Sequence, residues 1–225
     1  MIMDELKLST DDTFYTEDHV IFLLDKYRAF VLKQRYADIK KPMPESNYQT
    51  ICLDLIEVPA IPELLCEGTM LRSKEKVPIL MPIGVNRLYS YNYYIGDLFL
   101  TSRDRMKYVG ENKYTRNNIY ASIAPDNYLW LKSKNPQYLY LEKVRLTGVF
   151  EDTKRASELS CGNKDCDILE QDFPLEASLV SVVSEMILKE LHTAKMVLSD
   201  DTNDAKDIDG INAAPVTNQN TNVNN

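Results

Sequence analysis

The fold is decided where the chain reads Gln49-Thr50-Ile51-Cys52-Leu53-Asp54-Leu55-Ile56-Glu57-Val58. This stretch is the first of seven short runs that are rich in β-branched and aromatic residues and bounded by Pro, Gly or Asn, as strands are. The other six are Arg87–Tyr94, Asp97–Ser102, Lys107–Val109, Asn118–Ile123, Tyr128–Lys132 and Tyr138–Phe150. The sequence therefore predicts a β-rich middle region over residues 47–150. The proline and charge content between Pro59 and Pro82 predicts a loop excursion inside it.

Two helical patterns flank this region. Thr16 is a good N-cap, acids follow it, and Pro42 lies beyond, so a helix is predicted over residues 17–39. Pro174 fits the first turn of a second helix, predicted over residues 173–198. We therefore expect an α+β fold in which long N-terminal and C-terminal helices pack together with the β-rich middle region.

Both helices have apolar arcs broader than one buried face requires. In the first helix one stripe is formed by Val20, Leu23, Leu24, Tyr27, Phe30 and Val31, and a second face by Phe22, Ala29, Leu32 and Tyr36. One interpretation is a helix enclosed within its own domain. The other is that the second face contacts a neighbouring subunit.

The negative charge of the chain lies at its two ends. The net charge is −8, of which residues 1–12 carry −3 and residues 199–225 carry −4, which leaves −1 for residues 13–198. The C-terminal segment has almost nothing to bury, so we expect an acidic tail that is disordered or docked on a partner. Its partner-contact candidates are Asp200, Asp201, Asp204 and Asp207. We predict one domain over residues 1–207 and a low-complexity tail over residues 208–225.

The four cysteines, Cys52, Cys66, Cys161 and Cys166, follow an N-terminus without the pattern of a secretory leader, and the apolar runs are far shorter than a membrane helix. We expect a soluble chain made in a reducing cytoplasm with free thiols. The Cys161–Cys166 loop is interpreted as a polar turn with reduced cysteines. No second ligand pair of zinc-module spacing accompanies this loop, so a zinc site is not predicted. A labile disulfide is the alternative interpretation.

No catalytic, cofactor-binding or metal-binding residues are predicted. His19 and His192 lie in predicted helices without a connected nucleophile, and the Glu151-Asp152 pair is interpreted as a solvated charge run. The motifs GxGxxG, GxxxxGK[ST], HExxH and GxSxG do not occur in the sequence. We therefore expect a protein that is not an enzyme and that has no cofactor.

The near-neutral body lacks the basic character of a tight nucleic-acid binder. Basic residues interleaved with Tyr108 and Tyr114 come nearest to such a patch, and Asp104 and Glu111 dilute it. The basic residues are Arg103, Arg105, Lys107, Lys113 and Arg116. The pattern favours a solvated hairpin surface over a groove for a single strand.

Several segments carry a resemblance that is broad rather than catalytic. They are Phe14–His19, Leu23–Arg28, Leu32–Tyr36, Asn47–Leu55, Ser102–Gly110, Asn135–Arg145, Gly148–Asp152 and Ser199–Asp207. Together they resemble a virion protein of crAss-like tailed bacteriophages. The resemblance covers most of residues 14–207.

The resemblance implies a structural ring protein of the head-to-tail connector, below the portal in the manner of an adaptor. It implies about a dozen copies around the passage used in genome retention and ejection, with the portal and other connector and tail rings as partners. DNA would pass through without sequence-specific binding, and no membrane would be involved. The alternatives are a capsid cargo or scaffold protein, an accessory DNA-binding virion protein, or an enzyme whose carboxylates converge only in the fold.

Overall fold

The computed structural model describes residues 16–38, 41–60, 69–84, 86–91, 98–161 and 172–193. The chain forms two compact units, and the first comprises Thr16–Val183. Of the second unit the structure describes only residues 184–193, which are helical.

A seven-stranded mixed sheet dominates the first unit. Its strands are β1 (Gln49–Pro59), β2 (Thr69–Ser73), β3 (Arg87–Ser90), β4 (Leu98–Leu100), β5 (Ile119–Ile123), β6 (Leu129–Lys132) and β7 (Lys143–Gly148). They are ordered β3-β7-β1-β2-β6-β5-β4. The β4–β5 pair is parallel, and the other pairs are antiparallel.

The described residues also form four helices and two 3₁₀ turns. They are α1 (Glu17–Arg35), α2 (Arg103–Met106), α3 (Thr153–Glu158) and α4 (residues 177–193), with 3₁₀ turns at Glu45–Asn47 and Pro136–Tyr140. The structure thus has α1 and α4 inside the two predicted helical segments, while residue 39 and residues 194–198 lie outside the described residues.

Strand β1 joins the two halves of the sheet. Its first part, Gln49 to Asp54, pairs with β7, and its second part, Leu55 to Pro59, pairs with β2. An eleven-residue strand spans about 36 Å when extended, which is long enough to serve two different neighbours. This one stretch therefore fixes the registers of both halves.

The predicted fold class is wrong in its main feature. We expected the two long helices to pack together as the body, but the larger described core cluster is built from strands and connections. Its fully buried members include Ile51, Leu53, Leu129, Val144 and Leu146, and none of its described members lies in α1 or α4. Every second residue of a strand points to the same side of the sheet, so the apolar side chains of these strands gather into one cluster.

The predicted strands fit unevenly. Residues Lys107–Val109 lie in turns after α2, and the run Tyr138–Phe150 divides into a 3₁₀ turn and β7. The predicted excursion between Pro59 and Pro82 contains β2, which pairs with β1 and β6. Strand β2 was missed because a strand of five residues shows little periodicity and charged residues lie near it in the sequence.

Helix α1 begins where its sequence allows a cap. The Thr16 hydroxyl accepts a hydrogen bond from the backbone N–H of His19 at 3.3 Å, and Glu17 and Asp18 complement the positive end of the helix dipole. Its buried side chains include Val20, Leu23, Val31 and Leu32, together with one cation, Arg28. That cation is the centre of a polar hub.

Arg28 is fully buried and donates three hydrogen bonds to backbone carbonyls. Nε reaches Pro174 O at 2.7 Å, Nη1 reaches Phe150 O at 2.8 Å, and Nη2 reaches Asn47 O at 3.1 Å. Burial lowers the pKa of Arg28 to about 10, and the charge of Asp25 opposes that shift. The guanidinium is therefore still charged at neutral pH, and its planar fork matches three fixed acceptors.

A second part of the hub lies at Glu176, just before α4. Its carboxylate accepts hydrogen bonds from the hydroxyls of Tyr36 and Ser178, each at 2.6 Å, and pairs with Arg35 at 3.1 Å. Its backbone N–H donates to Asn47 Oδ1 at 2.8 Å. Asn47 thus serves both parts of the hub, one through its carbonyl and one through its side chain.

The expected free thiols are wrong for two of the four cysteines. Cys52 on β1 and Cys161 beyond α3 form a disulfide, with their Cα atoms 5.0 Å apart. Their positions in the sequence are 109 residues apart, so local spacing gave no sign of the pair. Cys66 and Cys166 lie outside the described residues.

We expect Arg28→Met to lower the free energy of unfolding by about 3 kcal/mol, because three buried carbonyls lose their donors. Arg28→Lys should also be strongly destabilising, since one ammonium cannot reproduce the fork. Urea unfolding followed by circular dichroism measures both. The matched control is Lys33→Met, an exposed cation of the same helix, which should change stability by about 0.5 kcal/mol or less. Equal losses in Lys33→Met and Arg28→Met would contradict the assigned role.

Glu176 should make the stability of the fold depend on acid. Burial by itself would raise the pKa of Glu176, but the hydrogen bonds from Ser178 and Tyr36 and the charge of Arg35 outweigh it and hold the pKa below its usual 4.5. A carboxyl with a lowered folded-state pKa adds stability above its unfolded pKa and loses it as the pH falls through the folded pKa. Glu176→Gln should therefore be less stable at pH 7 and lose less stability between pH 5 and pH 3.

The measurement is the free energy of unfolding from pH 7 to pH 3. Glu158→Gln, at an exposed position of α3, is the matched control and should retain the acid-dependent loss. If both variants follow the same pH profile, the contacts of Glu176 are not its source.

Candidate functional site

The residues proposed from the sequence as partner contacts cannot be placed. Asp200, Asp201, Asp204 and Asp207 lie outside the described residues. His19 and His192, interpreted as packing or surface residues, are both exposed. The structure therefore draws attention to surfaces that the sequence analysis treated as secondary.

The first surface is the outer face of α1, which we define by Phe22 and Phe30. Their side chains are 62% and 55% exposed. Eight residues separate them, which places them about 80° apart around the helix and about 12 Å apart along its axis. Sequence reasoning put Phe30 on the buried stripe and placed Leu32 and Tyr36 on the second face, but Leu32 and Tyr36 are buried and Phe30 is not.

Exposed apolar residues also occur at the start of α4, where Val180 and Val182 are 39% and 38% exposed. Single exposed apolar side chains are ordinary, whereas two aromatic rings on one helix face are a candidate contact surface. The outer face of α1 is therefore the stronger of the two.

A cleft of about 410 Å³ adjoins Phe22 and contains several acids. It is lined by Asp18, Ile21, Phe22, Asp25, Lys26, Glu151, Asp152 and Lys154. An enzyme with convergent carboxylates would require such a cleft. The hydrogen bonds and ion pairs of each acid show whether its carboxylate is already engaged in a structural contact.

Most of these acids already have structural partners. Asp25 accepts hydrogen bonds from the hydroxyl of Thr153 at 2.7 Å and from its backbone N–H at 3.3 Å. Asp18 pairs with Lys154 at 3.0 Å, and Asp152 caps α3 by accepting from Arg155 N at 2.8 Å. Burial raises the pKa of Asp25, and the bonds from Thr153 oppose the shift. Asp18 and Asp25 of α1 therefore hold α3 against α1, while Asp152 caps α3.

The second surface is the segment 102–118, which we call the basic segment. The expected hairpin is wrong, because the segment contains the short helix α2 followed by turns. Met106 is fully buried in a small cluster with Met70, Ala124 and Trp130. The basic segment thus covers one side of the sheet near β5 and β6.

Hydrogen bonds from residues in and next to β5 and β6 hold the basic segment in place. The buried amine of Lys132 donates to the carbonyls of Met106 at 3.1 Å and Lys107 at 3.2 Å. The Tyr120 hydroxyl donates to Thr115 O at 3.4 Å, and the Ser133 hydroxyl donates to Asn118 O at 3.0 Å. The segment is therefore held at its beginning and at its end.

A glycine lets the segment reverse. Gly110 has a φ of +81°, a conformation that side chains with a Cβ rarely adopt. Directly after it, Glu111 forms an ion pair with Lys134 on the connection after β6. The reversal returns residues 111–118 toward the start of β5.

The outer side of the basic segment is polar and aromatic. Arg105, Lys107 and Lys113 are exposed, and the rings of Tyr108 and Tyr114 are 74% and 87% exposed. These residues and the acids among them, Asp104 and Glu111, are evident from the sequence alone. The sequence does not reveal that Glu111 is occupied by Lys134.

The described residues contain neither a metal-binding cluster nor a helix that could span a membrane. No group of three or more His, Cys, Asp or Glu side chains there is arranged to hold a metal ion. In the same part of the chain, no helix has the length and apolar character that crossing a membrane requires.

Comparison with known proteins identifies the family. A family model described as phage tail ring protein 2 matches residues 1–211. "Ring protein 2" of Bacteroides phage crAss001 is 55% identical over 211 residues, which cover 92% of this chain and 94% of that relative. The chain therefore belongs to the phage tail ring protein 2 family of crAss-like bacteriophages.

Proposed function

We propose that the chain is a structural subunit of the virion that forms one ring of the head-to-tail connector. The ring lies between the portal and the tail and contains about a dozen copies of the chain around the passage for DNA. Genome retention after packaging and genome ejection take place through this passage. The subunit is made in the bacterial cytoplasm, enters the virion during assembly and catalyses no reaction.

The observation that carries this proposal is the outer face of α1. A closed ring of identical subunits uses two different patches on each subunit, one for each neighbour. Burial of Phe22 and Phe30 in such a contact would contribute roughly 1–2 kcal/mol for each phenylalanine side chain, given the fraction of each that is exposed. Aromatic side chains of this kind are frequent at the centres of protein interfaces.

The acidic tail supplies the contact to the portal in this proposal. Asp200, Asp201, Asp204 and Asp207 would bind basic groups of the portal, and the rest of the connector and tail would stack on the other side. Such a tail orders only when it binds, so its affinity is modest for each subunit. Repetition around the ring makes the total attachment strong.

Two rivals remain distinguishable from this proposal. An enzyme would use the cleft beside Phe22, but Asp18, Asp25 and Asp152 there are engaged in contacts that hold α3. A capsid cargo, scaffold or accessory DNA-binding protein would not form a ring on the portal. Counting copies of the chain in purified connectors separates this last group from the ring.

We expect Phe22→Ser combined with Phe30→Ser to give a folded subunit that fails to enter the ring. Both side chains are exposed, so the free energy of unfolding should change by about 1 kcal/mol or less in total, while the apolar contact is lost. Thermal unfolding checks the fold, and quantitative mass spectrometry of purified virions counts incorporated copies. The matched control is Tyr140→Ser, which removes another exposed aromatic ring and should leave incorporation unchanged. Normal incorporation of the double variant would refute the contact.

We expect replacement of Asp200, Asp201, Asp204 and Asp207 by Asn to weaken attachment to the portal. The four charges are lost while the size of the side chains is kept, so at least a several-fold drop in bound copies is expected at physiological salt. Co-sedimentation with purified portal measures it. A chain that ends at residue 207 keeps the four aspartates and is the control, expected to bind normally. If the Asn variant binds as well as the control, these aspartates do not contact the portal.

A further inference from the structure

The basic segment differs in charge from the rest of the chain. Residues 103–116 contain five basic and two acidic residues, a net charge of +3, whereas the whole chain has a net charge of −8. The chain outside this segment therefore has a net charge of −11. A polyanion that passes the subunit is attracted most strongly here.

Three cations of the segment are unpaired. Arg105, Lys107 and Lys113 are exposed, and none forms an ion pair with an acid of the described residues. Several cations elsewhere are paired: Arg35 with Glu176, Arg87 with Glu45, Lys143 with Asp54 and Lys154 with Asp18. Outside the segment, Lys74 and Lys76 also form no ion pair with an acid of the described residues, but Glu75 lies between them in the sequence.

The acids inside the segment do not cancel this charge. Glu111 is paired with Lys134, a cation from outside the segment, and that contact lowers the pKa of Glu111. Asp104 is the other acid, set against Arg103 and Arg105 on the same short helix. Most of the outward-facing charge is therefore positive.

The backbone that carries the cations is anchored to the sheet. Met106 is buried against the sheet, and the Lys132 amine binds the carbonyls of Met106 and Lys107. The backbone that carries Arg105 and Lys107 is therefore fixed relative to the sheet. A repeated ring of subunits would thus present its cations in one circle at one height.

The aromatic residues of the segment also suit contact with a nucleic-acid backbone. Tyr108 and Tyr114 carry hydroxyl groups that can donate to phosphate oxygens, and their rings can lie against sugars. Nothing in the segment forms the rigid helix or ribbon that reads base edges in a major groove. Its chemistry suits a backbone of any sequence.

We propose that the outer side of the basic segment, centred on Arg105, Lys107 and Lys113, faces the bore and contacts the phosphates of the duplex genome. This inference rests on the proposed ring and names the surface that meets DNA. The alternative occupant of the segment is protein, above all the acidic tail of a neighbouring subunit.

The contact is strong enough to guide DNA and weak enough to let it move. Each neutralised phosphate contributes about 0.9 to the slope of log affinity against log salt, so three cations give each subunit a slope of about 3. A single subunit therefore binds weakly at physiological salt. DNA slides past because each contact is exchanged for an equivalent one on the next phosphate.

The test places a photoreactive phenylalanine analogue at Tyr114 in one phage and at Phe30 in another. Virions are purified, irradiated and separated so that adducts of the chain with DNA and with protein are counted. Tyr114 should give DNA adducts at about tenfold or more the yield from Phe30, which should give protein adducts. In the triple variant R105Q/K107Q/K113Q, the DNA adduct at Tyr114 should fall about threefold or more, because the attraction to phosphates is lost.

The matched control is K41Q/K74Q/R155Q, which removes the same charge from exposed positions outside the segment and should leave the adduct yield unchanged. Protein adducts alone at Tyr114, or no adduct there, would overturn the DNA-facing assignment while the ring stands, provided that the chain is present in the connector. Absence of the unaltered chain from purified connectors would instead remove the proposed function, and this inference with it.

Discussion

The buried guanidinium of Arg28 is the interaction on which the rest of the subunit depends. It brings together α1, Phe150 beyond β7, the turn before β1 and the segment before α4. Its partners lie up to 146 residues away in the sequence. A buried charge tolerates few arrangements, because each lost hydrogen bond leaves a polar group without solvent. Arg28 therefore holds these four segments in one arrangement, and removing its hydrogen bonds is strongly destabilising.

This polar hub frees the outside of α1 for other uses. The helix is positioned by Arg28 and by a few buried apolar residues such as Leu23 and Leu32, so Phe22 and Phe30 are not needed in the interior. Most of the acids in the adjacent cleft hold α3, and the basic segment is fixed to the sheet by Lys132. Polar contacts thus do the positioning at both surfaces, and exposed aromatic rings remain for partners.

Local features of the fold could be predicted from the sequence, and distant ones could not. The N-cap Thr16 and the composition of Gln49–Val58 correctly indicated a helix start and a strand. Periodicity assigned Phe30 to the core stripe and did not single out Arg28, because a helical pattern does not reveal which face meets the sheet. The predicted body of two packed helices was wrong because strand pairing is decided by residues that are far apart in the chain. The basic residues were found, but their pairing required coordinates.

The disulfide between Cys52 and Cys161 also has a mechanical meaning. It closes a covalent loop that contains β2 to β7, while α1 and α4 lie on the two chain arms outside the loop. A pulling force on those arms would run from residue 52 directly to residue 161 and bypass the strands between them. Strands β2 to β7 would then carry no tension along the chain, and of β1 only Gln49–Cys52 would, so a subunit strained between its neighbours would stretch its arms and keep most of its sheet folded.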